Sequence, residues 1–138
     1  VRDNVGYEKV VREAKQLDTS TRNLVIRAVQ DAASQYGEDE ELYVRAKIES
    51  KLSDVEQSTS SWIRQLARGF RNLANWHAFR FAELMPPFEY VYTLSGATLF
   101  YFINPFDVIP DHTHGTGYID DAFAFYYCVR QLPEDWDR

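Results

Sequence analysis

The chain has 138 residues, 45% of them hydrophobic, including nine Phe, nine Tyr and three Trp. That length and aromatic content fit one domain with a sizeable core and exclude a disordered polymer. The formal charge of −6 comes from residues 85–138, which hold two basic and eight acidic side chains, while residues 1–84 balance at thirteen each; an acidic C-terminal third disfavours wrapping by nucleic acid.

Helical periodicity runs along the sequence, and no alternating strand or hairpin pattern interrupts it. Residues 1–20 are polar and lack the apolar segment of a signal peptide. The chain opens at Val1 rather than Met, so a leading segment is not excluded. A first helix is expected over about 4–17, with Val10, Val11, Ala14 and Leu17 on one face. Asp18-Thr19-Ser20-Thr21 supplies an N-cap for a second helix. Its apolar set is Leu24, Val25, Ala28, Val29, Ala32 and Tyr36, and Gly37 is placed to stop it.

Asp39, Glu40 and Glu41 open a third helix, acids lying where the helix dipole favours them. Its expected buried stripe is Leu42, Ala46, Leu52 and Val55. Ser58-Thr59-Ser60-Ser61 ends this helix and caps a fourth, over about 61–84, whose apolar face carries Ile63, Leu66, Phe70, Leu73 and Phe81. Pro86 and Pro87 terminate it. A fifth helix is expected from Phe88 to Ile103 and a sixth from Ile119 to Gln131. The sixth is apolar nearly all round, which requires a central position, a subunit interface or lipid. The run from Tyr90 to Ile103 is shorter than the roughly 20 residues a spanning helix needs, so a soluble protein is expected. The single cysteine, Cys128, cannot form an internal disulfide and reads as a small buried residue, consistent with a reducing, cytoplasmic compartment.

The expected fold is therefore all-α, a single-domain bundle of about six helices. Residues 1–85 form amphipathic helices, 86–132 an apolar hairpin around an Asp-rich loop, and 133–138 an acidic tail around Trp136 that is either loose or docked.

The most unusual stretch is NPFDVIPDHTHGTGYIDD, residues 104–121, with carboxylates at Asp107, Asp111, Asp120 and Asp121 and imidazoles at His112 and His114. Buried carboxylates need caps, cations or a metal. One reading is architectural: Asp107 and Asp111 cap turns, and Asp120 and Asp121 sit at the positive end of the last helix. A second makes Asp107, Asp111, His112, His114, Asp120 and Asp121 ligands of a divalent metal. Oxygen donors favour magnesium or calcium, while two imidazoles pull toward zinc, manganese or iron. The spacing is neither an EF-hand nor a helical His-Glu-x-x-His site. A third pairs a basic residue with the cluster. Arg80 and His77 stand on or beside the apolar face of the fourth helix and are candidates for a structural ion pair, Arg80 being expected to reach Asp107, Asp111, Asp120 or Asp121.

The positions Tyr101, Pro105, Asp107, Pro110, Asp111, Gly117, Tyr118, Asp120 and Asp121 resemble the motif of the YkvA-like domain-of-unknown-function proteins, Tyr-x-x-x-Pro-x-Asp-x-x-Pro-Asp followed by Gly-Tyr-x-Asp-Asp. The resemblance covers about residues 90–130 and says nothing of residues 1–85. It implies no established activity. The family's usual loop is apolar and suggests a membrane-proximal hairpin. Here His112-Thr113-His114-Gly115-Thr116 takes that place, which weakens the lipid reading and adds metal-type ligands.

Arg64, Arg68 and Arg71 share the polar face of the fourth helix without acidic neighbours on it. They form either a solvated surface or a face for an anionic partner, such as a lipid headgroup or an acidic protein. Phosphate-binding glycine loops, a Gly-x-Ser-x-Gly elbow and Cys-x-x-Cys pairs are absent. Two functions follow. The first is a helical interaction or scaffold module, cytoplasmic or peripheral to a membrane, with a protein partner or a second copy on the aromatic last helix. The second is a small metal-dependent hydrolase using zinc, manganese or magnesium at the Asp/His-rich loop, with Arg80 holding an anionic group.

Overall fold

Local capping chemistry sets where the second and third helices begin. Asp18 accepts from the Thr21 N–H through its side chain and opens α2, Thr19–Gln35. α2 ends at its C-cap Tyr36, so Gly37 follows at the expected C′ position, with an extended φ of −148° rather than a left-handed one. It is at the same time the N-cap of α3, Glu38–Glu56. The Glu40 carboxylate reaches back to accept the Gly37 N–H at 2.9 Å, the half of a capping box that needs no side chain at the N-cap. The serine-rich break separates α3 from α4, Ser61–Arg80. α5 is Phe88–Ile103 and α6 is Ile119–Val129. α1 is shorter than the sequence suggests, Glu8–Ala14. This computed structural model describes residues 6–80, 88–104 and 118–137. Among them every regular element is helical, and no helix is long and apolar enough to cross a membrane.

α5 lies at the centre and packs against α2, α3, α4 and α6, while α1 covers α6 and α4. The core is built on aromatic contacts. Phe70 of α4 stacks on Phe102 of α5 with centroids 4.0 Å apart, and Phe125 of α6 tilts against Phe70 at 5.4 Å. α6 is buried over Ile119–Phe125 and again at Cys128 and Val129, as expected of a helix apolar on all sides. The tail does dock: Trp136 stacks on Tyr7 and meets Phe125 edge-on.

The expected apolar set of α2 faces the core except for Leu24, which is 50% exposed. In α3 Leu52 and Val55 are buried as expected, but Leu42, at 57%, and Ala46 are exposed. The inward face of α3 is instead Glu41, Val44, Ile48, Leu52 and Val55. That set has the better helical spacing, but it begins with a carboxylate, and a charged residue at its head hides it from hydrophobic periodicity.

Candidate functional site

Where α5 ends and α6 begins, the sequence sets two carboxylates into the first turn of a helix. Asp120 and Asp121 are both buried, at 1% and 3% exposure, in the position that the helix dipole favours for anions. Tyr101, in the last turn of α5, donates its hydroxyl to Asp120 Oδ2 at 2.9 Å. Lys51 of α3 brings a cation to the same end, its Nζ 5.5 Å from the Phe102 ring and 5.6 Å from the Tyr118 ring. Asp107, Asp111, His112 and His114 lie outside the described residues, as does the side chain of Arg80. Among the described residues no three metal-ligating side chains gather at one point. What the described part can do is hold a buried negative charge next to a phenol that donates to it.

A second polar centre lies inside the bundle. Glu41 is 4% exposed, His77 2% and Ser95 not at all. His77 Nε2 lies 2.7 Å from Glu41 Oε1, and its Nδ1 lies 2.7 Å from Ser95 Oγ. Glu41 also accepts from the Tyr36 hydroxyl at 2.6 Å and from Arg45 Nε at 2.8 Å. Burial alone would raise the Glu41 pKa. The hydrogen bonds from His77, Tyr36 and Arg45 outweigh it and hold the carboxyl at about 2. Burial first, and the adjacent Glu41 second, push the Tyr36 phenol above its ordinary range. Tyr92 is raised by the same two causes, and its ring stacks on His77 at 4.4 Å.

A carboxylate only accepts, so Nε2 carries a proton toward Glu41. Ser95 donates to the Tyr92 carbonyl at 3.0 Å, and its Oγ faces Nδ1. Serine, histidine and carboxylate thus stand in line, but the hydroxyl is sealed in the core and already bonded to backbone. The centre ties α3, α4 and α5 together. His77 therefore meets a carboxylate from α3, and Glu41, Ser95, Tyr36 and Tyr92 are residues that sequence reasoning missed. The one local signal was the i, i+4 pair Glu41–Arg45. His77 and Glu41 are 36 positions apart, and nothing in either segment points to the other.

Arg64, Arg68 and Arg71 of α4 have partners off their own helix. Arg71 bridges Glu49 and Glu56 of α3 with N–O distances of 2.8–3.1 Å. These bonds raise its pKa and lower that of Glu56. Arg68 donates to the Gly6 carbonyl and covers the Tyr7 ring at 5.3 Å. Arg64 donates to the Ser58 carbonyl at 2.8 Å. The absence of acids along α4 itself conceals the two that α3 supplies.

A family model described as Protein of unknown function (DUF1232) matches residues 91–127. That stretch takes in most of α5, the connection after it and most of α6. No curated protein and no solved structure matches the chain.

Proposed function

We propose that the chain is a helical interaction module, cytoplasmic and able to work at a membrane surface, whose contacts with a protein partner are made by its outer face. The supporting observation is that the groups best suited to chemistry among the described residues are sealed. Glu41, His77, Ser95, Asp120, Asp121 and Cys128 are all under 5% exposed, and burial pushes the Cys128 thiol up to about 12. Surface contacts fall instead to side chains such as Leu42 and Phe79, 57% and 65% exposed. The narrower YkvA-like kinship fits this reading, because Tyr101, Asp120 and Asp121 of its motif lie inside the matched stretch and brace the α5–α6 hairpin.

Leu42→Asp and Phe79→Asp test the proposal. In extracts of the native host the parent chain should co-elute with a partner in light-scattering chromatography. One or both variants should lose that partner while keeping the parental melting temperature. A monomer under all conditions, or partner binding indifferent to both changes, would sink it.

The buried Asp120 and Asp121 favour a second reading, since such carboxylates require a positive counterpart. In it Asp107, Asp111, His112 and His114 join them around zinc, manganese or magnesium in a hydrolase. Calorimetric titration with each metal decides. Saturable binding lost in Asp120→Asn, together with turnover of p-nitrophenyl phosphate, supports the hydrolase. Flat titrations remove it.

A further inference from the structure

The end of α1, the first turns of α2 and the end of α6 enclose a groove of about 810 Å³. That falls within the range of about 300–1,000 Å³ occupied by small-ligand sites. Three cations line it, Lys15, Arg22 and Arg130, and three aromatic rings, Phe123, Tyr126 and Tyr127. Among the described residues no acidic side chain lines it, in a chain whose net charge is −6.

The cations are held in place. Arg22 donates through Nε to the Leu17 carbonyl at 2.7 Å and through Nη2 to the Lys15 carbonyl at 2.5 Å. Those bonds fix the guanidinium plane without neutralising it, because both acceptors are uncharged. Its carbon also lies 5.8 Å from the Phe123 ring. Lys15 Nζ stands 6.0 Å over the Tyr126 ring, and the Arg130 guanidinium 5.1 Å over the same ring. Tyr127 is anchored through its hydroxyl by Gln30 at 2.9 Å. Thr19, the first residue of α2, lines the groove as well, but the Asp18 carboxylate already caps that helix end, so the positive field comes from the three cations.

From this geometry we infer that the groove binds a small organic anion, a phosphate or carboxylate attached to a flat apolar group. With Nε and one Nη2 hydrogen of Arg22 given to the Leu17 and Lys15 carbonyls, the Nη1–Nη2 end of the oriented guanidinium is the planar edge offered to the anion, which a lysine alone would not supply. The aromatic side of the groove takes the apolar body. This site goes beyond the proposed partner role and does not depend on it, since it needs no protein to fill it.

The test is an amide NMR titration of the full chain with phenyl phosphate, benzoate, inorganic phosphate and benzyl alcohol. Phenyl phosphate and benzoate should give saturable shifts at Asn23, Ile26 and Gln131. They should bind at least about tenfold more tightly than inorganic phosphate or benzyl alcohol, which each lack one half of the ligand. Arg22→Gln should weaken phenyl phosphate by about tenfold or more, and Arg71→Gln should leave it unchanged. Because Arg22 also braces the end of α1, Lys15→Gln serves as a second variant, with a loss of about threefold or more expected. Saturable shifts confined to other surfaces, no saturation, inorganic phosphate binding as well as phenyl phosphate, or charge variants without effect would each overturn the inference. Sedimentation with phosphatidylserine vesicles in the absence of any phenyl phosphate binding would also overturn it, and assign the cations to a lipid surface.

Discussion

A methyl group added at Gly96 would lie 2.4 Å from Tyr36 Cζ and under 3 Å from two more atoms of that ring. The ring cannot retreat, because its hydroxyl is bonded to Glu41 and its edge meets His77 and Tyr92. Gly96→Ala should therefore destabilise by about 1–3 kcal/mol, the usual cost of overpacking, despite the better helix propensity of alanine. Urea unfolding measures it. A neutral or stabilising result would mean that Tyr36 is looser than its contacts suggest. Gly69 sits in the same relation to Phe125, 2.6 Å from the nearest ring atom. There, Phe125→Leu should relieve part of the loss in the double variant, a coupling that a propensity effect would not produce. Neither role is legible in the sequence. A glycine inside an apolar helix signals close approach in general, and the ring that approaches comes from another helix.

Between residue and bundle, the seven-residue α1 shows how an element too short to stand alone is held. Its N-cap residue, Tyr7, makes no side-chain cap. Instead Gln65 of α4 accepts the Lys9 and Val10 N–H groups at 2.9 and 3.0 Å, and Arg22 of α2 closes the other end on the Leu17 and Lys15 carbonyls. Gln65→Ala should cost about 1–3 kcal/mol, since it strands two helix donors, one of them partly buried. Removing the local cap, Asp18→Ala, should cost about 1 kcal/mol. Equilibrium unfolding compares the two. Amide exchange should also show Val10 and Val11 opening sooner in Gln65→Ala and not in Asp18→Ala. The order of legibility is the reverse of the order of cost. Asp18 was readable because an N-cap acts on its own chain three residues away. Gln65 was not, because a cap borrowed from another helix leaves no local pattern. The same reason explains α3, where its inward face was concealed by Glu41, a carboxylate whose burial makes sense only with His77 beside it.

At the scale of the molecule, the helix count and the central position of α5 and α6 followed from periodicity and apolar content, whereas the buried polar centre that ties α3 to α4 and α5 did not. That centre, with the buried thiol of α6, shapes how stability varies with pH. The folded-state pKa of Glu41 is depressed to about 2, against about 4.3 for an unfolded glutamate. Its contribution, on the order of 3 kcal/mol, is complete above pH ~5 and fades as pH falls toward 2. Tyr36, Tyr92 and Cys128 shift the opposite way, all raised by burial. Their neutral forms are the ones the fold favours. Their stabilisation is intact below the unfolded values of ~8.5 for the thiol and ~10 for the phenols, and is lost as pH climbs past them. Stability should thus form a plateau from about pH 5 to 8, without a maximum tied to the isoelectric point near 5.0. Glu41→Gln should lower the plateau and flatten its acid shoulder. Tyr36→Phe should flatten part of the alkaline shoulder and also shrink the acid one, because it removes one of the donors that hold Glu41 low. Thermal melts from about pH 2 to 12, spanning both shoulders, record the two effects. A parental curve that peaks sharply at the isoelectric point, or an acid shoulder unchanged in Glu41→Gln, would show that the Glu41–His77 centre does not govern the stability of the bundle.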